Sequence, residues 1–393
     1  MKKFVLIISI IFSIIFVSTM SVLGEEKKKD EPGTLNLAPD AKSAILIERD
    51  TGKILFDKNT QEKLPPASMT KVMTLLLIME AIEEGNLKLD EIIRVSDYAA
   101  SMGGSQIFLE AGEEMSVLDL LKGVAIASGN DASVALAERI AGSEDAFVKK
   151  MNDKLKELNL SNTKFQNTTG LPADNHYSTS YDMAIIAKEL LKYETVTEYT
   201  SIYEDYLRKG EENEFWLVNT NKLVRFYPGV DGLKTGFTNE AKYCLTATAK
   251  KNDMRVIAVV MGAETPKKRN ATISQMLDYA FNHFETKRLF DKNQTITNLK
   301  LMKAENKSIN IIASESVSTI HTRGESTENV TTKVELDENM SLPMKKGDQV
   351  GVLYVKNGEE ILSKTPLIVE QDVNKASYIT FFKRSLQKMV KNN

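Results

Sequence analysis

The period of the hydrophobic positions changes along this chain and divides it into stretches of different character. Phe4 to Val17 is apolar apart from Ser9 and Ser13. It follows Lys2 and Lys3 and precedes Val22 and Gly24, which are small enough to flank a signal-peptidase site before Glu25. Residues 1–24 are therefore expected to be a signal peptide, with an uncleaved membrane anchor as the alternative; either one exports the remainder. Residues 25–39, opening Glu-Glu-Lys-Lys-Lys-Asp-Glu-Pro-Gly, are expected to be a solvated linker.

Ser43-Ala-Ile-Leu-Ile-Glu48 and Ile54-Leu-Phe56 flank Asp50-Thr-Gly52, which predicts a β-hairpin. Pro65-Pro66-Ala67 cannot continue a strand, and a helix is expected from Ser68 to Glu84, closed by Gly85. That helix is apolar nearly all round, as a central buried element would be. Val117 to Ala127, Ala132 to Ala141 and Glu144 to Leu158 carry helical spacing, and Thr179 with Asp182 fits the capped start of another helix. Strand character returns at Lys222–Phe226, Leu233–Phe237, Lys242–Ala249 and Arg255–Met261, before a closing helix over Lys267–Phe284. Two hairpins, a strand between them in sequence and helices at both ends predict an α+β fold. It is an antiparallel sheet covered by helices, with an inserted helical subdomain, over residues 40–285.

From residue 286 to 375 short β-rich runs alternate with turns, as in Asn310-Ile-Ile-Ala313, Gln349 to Val355 and Ile361 to Val369; a small all-β domain is expected. Residues 376–393 carry Lys383, Arg384, Lys388 and Lys391 and no acidic side chain. On a helical wheel Tyr378, Phe381, Phe382, Leu386 and Met389 oppose Thr380, Arg384, Gln387 and Lys391. This amphipathic helix is expected to lie in a membrane surface, with docking on its own protein as the alternative.

A formal charge of −3 and the lack of a basic stripe with interleaved aromatics argue against a nucleic-acid partner. His176, His283 and His321 show no ligand spacing, so neither metal nor cofactor is expected. Cys244 is the only cysteine and lies in a predicted strand, where a buried inert thiol is the expectation.

Three motifs carry the candidate chemistry: Ser68-Met-Thr-Lys71, Ser128-Gly-Asn130 and Lys234-Thr-Gly236. Each alone is weak; Ser-x-x-Lys recurs at Ser161 and Ser385. A serine hydroxyl needs a base, and on a helix Lys71 shares a face with Ser68. Burial and a second cation, Lys234, would disfavour the charged amine and make it that base. Ser128 could relay a proton to a leaving group, and Asn130 offers a donor and an acceptor to a substrate amide. Lys234 and Thr235 can hold a carboxylate, while Gly236 lets a substrate backbone approach the strand edge. The backbone N–H groups of Ser68 and Phe237 would form an oxyanion hole.

The motif set resembles that of the penicillin-binding serine D-Ala-D-Ala carboxypeptidases of low molecular mass, peptidase family S11, which share it with class A β-lactamases. The resemblance extends to Pro65-Pro-Ala-Ser-Met-Thr-Lys71, Asn167-Thr-Thr-Gly-Leu-Pro172, Tyr177-Ser-Thr-Ser-Tyr-Asp-Met183 and Gly229-Val-Asp-Gly-Leu-Lys-Thr-Gly236. It implies Ser68 as the acylated nucleophile, Lys71 as proton acceptor and Ser128 as shuttle. Asn130, Lys234, Thr235, Gly236 and Phe237 then bind substrate, and Arg269 helps to hold its terminal carboxylate. The substrates implied are peptidoglycan stem peptides, with β-lactam antibiotics as inhibitors, at the outer face of the bacterial cytoplasmic membrane. Some members have histidine at Phe237 and arginine at Thr220. A β-lactamase is the rival reading, but Leu155 stands where its deacylating glutamate would be. A penicillin sensor that acylates without turnover is the other.

Overall fold

The structure, a computed structural model, describes residues 35–325 and 329–391. The signal-peptide reading and most of the linker reading fall outside the described residues.

Strand β1 (Ser43–Glu48) is followed by β2 (Ile54–Lys58), and β3 (Val230–Thr238), β4 (Lys242–Lys251) and β5 (Met254–Ala263) complete an antiparallel sheet in the order β2-β1-β5-β4-β3. Both faces of this sheet are buried, and alternate side chains serve different cores. Ile45, Ile47, Ile257, Val259 and Met261 face one apolar cluster; Ala44, Leu46, Val256, Ala258 and Val260 face the other. Burial on both sides is why these strands read as continuous apolar runs rather than alternating ones.

The first core contains helix α1 (Lys71–Glu83), from which Val72, Leu75, Leu76, Ile78 and Met79 are buried. Around it pack α2 (Asn130–Ala141), α3 (Glu144–Glu157) and α4 (Ser180–Leu190). The second face is covered by α5 (Pro266–His283) through Ile273, Met276, Leu277 and Ala280. At the start of α4 the Thr179 hydroxyl accepts from Asp182 N–H, and Thr163 donates to the Asp182 carboxylate, so Asp182 serves the cap.

The residues after α5 form an all-β domain. Phe284–Phe290 pairs with Val317–Thr322, and a second five-stranded antiparallel sheet surrounds Ile309, Ile311, Leu353, Val355 and Leu367. The chain is thus an α+β domain followed by an all-β one.

Two local expectations are corrected. Leu223–Phe226 is a helical turn, not a strand. Asn219 Oδ1 accepts from Asn221 N–H and Asn221 Oδ1 from Leu223 N–H, so two successive Asn side chains curl the backbone despite its apolar residues. The helix expected from Ser68 begins as a 3-10 turn over Ala67–Thr70 and becomes α-helical at Lys71. The hairpin of Glu204–Leu207 with Phe215–Val218 was not foreseen.

Candidate active site

Pro65 and Pro66 bring the chain to Ala67, held at φ 47, from which the 3-10 turn lifts Ser68 to the edge of the sheet. Two glycines permit the close approach there. A Cβ on Gly170, at φ +85, would stand 1.8 Å from Ala67 O; one on Gly236 would stand 2.7 Å from Pro66 O. Gly236 therefore lets β3 pack against the turn that carries Ser68, a demand additional to the substrate pairing expected of it. β3 is the sheet's outermost strand. Among the described residues no strand covers its far edge, although Asp231 O and Gly232 O accept from Thr200 Oγ1 and Asn221 Nδ2, which leaves the Lys234–Thr238 end for another extended chain.

Lys71 is fully buried. Its Nζ lies 3.2 Å from Ser68 Oγ, 2.6 Å from Asn130 Oδ1 and 2.8 Å from Thr169 O. A neutral amine has two N–H donors and one lone pair. Asn130 and Thr169 offer only acceptor atoms and consume both donors, which turns the lone pair toward the hydroxyl proton of Ser68. Burial, and then the nearby Lys234 ammonium, hold the Lys71 amine well below the usual lysine range; Asp131 acts in the opposite direction.

Asn130 is fixed at both ends, since its Nδ2 donates to Gly103 O at 2.6 Å. The amide expected to meet substrate thus holds the lysine and a neighbouring loop. Ser128, at φ 67, ends a π-helical turn over Gly123–Ala127; its Oγ is buried with no hydrogen-bond partner among the described residues. That hydroxyl is free to pass a proton.

Lys234 is buried, and its only protein hydrogen-bond partner among the described residues is Thr235 O at 3.4 Å. Burial and then Arg269 bring its amine down to about 7. Thr235 Oγ1 donates to Thr220 Oγ1 at 2.8 Å. Arg269, near the start of α5, is buried, directs Nε and Nη2 to Asn270 Oδ1 and is lowered to about 10 by burial. Two buried cations with spare donors, Lys234 and Arg269, make a pocket for an anion. Phe237 is half-exposed (49%) and stacks on Tyr243 at 4.4 Å.

Sequence reasoning missed several supports. Asp131, directly after the second motif, accepts from Ile107 and Leu109 N–H and anchors that wall of the cleft. Thr169 O and Gly103 O are backbone atoms, which leave no signal in residue type. His176 is buried and lowered to about 4; its Nδ1 accepts from Gln166 N–H, so Nε2–H donates to Thr70 Oγ1 beside Lys71. Cys244 is buried and its thiol is pushed up to about 11, as an inert core cysteine should be.

A buried lysine against a serine at a helix start, beside a cationic pocket on an open strand edge, defines a serine acyl-transfer site. The chain belongs to the D-alanyl-D-alanine carboxypeptidase family: the model of that family matches residues 27–265, and that of the penicillin-binding protein 5 C-terminal domain matches residues 284–375. It is 56% identical over 359 residues to D-alanyl-D-alanine carboxypeptidase DacF of Bacillus subtilis, covering 91% of this chain and 92% of that protein. Penicillin-binding protein 5 of Haemophilus influenzae matches in structure with a TM-score of 0.67 and 30% identity, over 87% of this chain and all (100%) of that one. Penicillin-binding protein D2 of Listeria monocytogenes, solved in its ampicillin-bound form, matches with a TM-score of 0.55 and 32% identity, over 63% of this chain and 100% of that one.

Proposed function

We propose that this chain is a serine D-Ala-D-Ala carboxypeptidase that trims peptidoglycan stem pentapeptides and is acylated by β-lactams. Ser68 Oγ attacks the penultimate D-Ala carbonyl carbon as its proton passes to the Lys71 lone pair. The oxyanion is held by the N–H groups of Ser68 and Phe237. The terminal carboxylate meets Lys234 and Thr235, with Arg269 adding positive charge behind them. The C–N bond breaks as Ser128 relays the proton to the leaving amine, releasing D-alanine. Water then attacks the ester, Lys71 takes its proton, and Ser68 is regenerated. A β-lactam ring opens by the same attack.

The observation that carries this reading is the donor count at Lys71, which leaves one lone pair facing one hydroxyl. The lactamase alternative gains nothing at Leu155, which is buried in the core of α3. The test is D-alanine release from a blocked peptide ending in D-Ala-D-Ala, abolished by Ser68→Ala. Stoichiometric penicillin labelling without D-alanine release would favour a sensor, and rapid penicillin turnover a lactamase.

We also propose that the mature protein is exported and lies against the membrane through helix α6 (Tyr378–Lys391). No helix among the described residues is long and apolar enough to cross a membrane. Tyr378 and Phe382 are 94% and 66% exposed, while Arg384, expected on the polar face, donates to Ala304 O at 2.5 Å and Glu305 O at 2.8 Å. Arg384 ties the helix to the β-domain while Tyr378 and Phe382 remain uncovered, which favours an interfacial helix. Liposome flotation with and without residues 376–393 tests this; equal binding removes the anchor.

A further inference from the structure

The chain's only tryptophan, Trp216, is 54% exposed on the hairpin of Glu204–Leu207 with Phe215–Val218. Cross-strand pairing sets it directly opposite Tyr206, itself half-exposed. Side chains alternate across the two strands: Leu207 and Leu217 are buried in the first core, while Tyr206 and Trp216 share the solvent face. Phe108, 63% exposed, meets Phe215 edge-on with ring centroids 5.5 Å apart. Aromatic side chains gain by burial, so three left bare on one hairpin and its neighbouring loop mark a contact surface.

The face is held rigidly. Arg208 donates through Nε and Nη2 to the Glu113 carboxylate at 2.6 and 3.0 Å, and through Nη1 to Ile107 O, fastening the hairpin to the loop that carries Phe108. Lys122 pairs with Asp205 at 2.8 Å, and Asn219 Nδ2 donates to Thr200 O and Ile202 O. The aromatic rings are thus in place before any partner arrives, which lowers the ordering cost of binding.

The face is also continuous with the active site. Val218 leads within two residues to Thr220, whose N–H donates to Ile126 O, two residues before Ser128, and whose hydroxyl accepts from Thr235 Oγ1. Phe108 lies in the loop whose Gly103 O holds Asn130. The aromatic face therefore borders the cleft beyond Lys234. On the reading of the site just given, on which this inference rests, a stem peptide sets its terminal carboxylate at Lys234 and leaves the cleft in the opposite direction. The face is out of that stem's reach and meets another part of the same polymer.

Charge narrows the partner. Residues 204–218 carry Glu204, Asp205, Glu211, Glu212 and Glu214 against Arg208 and Lys209, which repels a polyanion or an anionic lipid surface. A neutral sugar suits both features. The C–H face of a pyranose ring packs on an aromatic ring, and sugar hydroxyl and amide N–H groups can donate to carboxylates. The glycan of peptidoglycan is built of such rings and carries the stems that the cleft trims.

We propose that the Tyr206–Trp216 face, with Phe108 beside it, binds an N-acetylated glycan strand of peptidoglycan. The strand is a neighbour of the one bearing the reacting stem, and its capture keeps the enzyme on the polymer while Ser68 works.

The test reads tryptophan emission as soluble glycan strands stripped of their stems are added. With one tryptophan in the chain, a blue shift reports cover at this face alone. The shift should appear in the intact protein and fail in Tyr206→Ala. D-alanine release from pentapeptide-rich peptidoglycan is then divided by release from the free pentapeptide. The double variant Tyr206→Ala, Trp216→Ala should lower that quotient roughly fivefold, the scale of an aromatic contact. The quotient is internal to each protein, so a loss of folded fraction does not alter it. No emission shift with the strands, or a quotient unchanged in the double variant, overturns the glycan face. A blue shift that follows protein concentration alone gives the face to a second copy and overturns it as well. Release from neither substrate by the intact protein overturns the carboxypeptidase reading itself.

Discussion

The amide oxygen of Asn130 lies 2.6 Å from Lys71 Nζ, closer than the 3.2 Å that separates the same nitrogen from Ser68 Oγ. The tighter contact sets the orientation of the looser one. An amine that gives its protons to Asn130 and Thr169 must offer its lone pair to Ser68, so the amide aligns Lys71 on that hydroxyl.

Asn130→Ala should lower the rate of acylation by a fluorescent penicillin by about 10²-fold, the usual worth of a positioned base, while Ser68→Ala abolishes labelling. Asn130→Asp should be at least as damaging, because a carboxylate against the amine keeps it charged. Labelling kinetics at a fixed penicillin concentration decide both; near-native rates would remove the aligning role.

Lys234 depresses the Lys71 amine, and Lys71 is a base only when neutral. Taking away that cation in Lys234→Met moves the Lys71 amine up, toward its ordinary value. The rising limb of the acylation pH profile should therefore shift to higher pH in the variant. Lys234→Arg retains the charge and should leave the limb in place. A limb unmoved in Lys234→Met would show that burial alone sets the Lys71 amine.

Thermal stability should report the same buried charge with a definite sign. Lys234 falls from 10.5 to about 7 on folding, so its burial penalty is complete below pH 7 and fades as pH rises toward 10.5. Melting curves at pH 6 and pH 9.5 should show the gain of Lys234→Met over the parent protein to be larger at pH 6. An equal gain at both would contradict the buried cation.

Gly170→Ala places a methyl group 1.8 Å from Ala67 O at a positive φ. The loop must move, and Thr169 O moves with it away from Lys71. The expected loss is about 2–4 kcal/mol of stability, read by denaturant unfolding, with slower penicillin labelling of the remaining folded protein. Gly142→Ala, also at positive φ but with nothing within 4 Å, should strain its own backbone and leave labelling unchanged.

The motifs were legible because their chemistry needs particular side chains in a particular order, and the strands because burial on both faces leaves few polar residues. The helical turn at Leu223–Phe226 was misread for a related reason. Its apolar residues look like a strand, and the deciding contacts are two Asn side chains folding back on the backbone. Asp131 escaped notice because its partners are the N–H groups of a loop more than twenty residues away.

By itself the sequence determined which side chains are available: one serine with a lysine a helical turn away, a second lysine on a strand, and enough apolar residues to bury both amines. Only the tertiary structure decided the state of those groups. The charge on Lys71 depends on who surrounds it, and its lone pair points where it does because two acceptors from distant segments, Asn130 and Thr169, take its protons. Residue types travel with the chain, whereas dielectric surroundings and hydrogen-bond direction exist only after segments far apart in sequence have packed together.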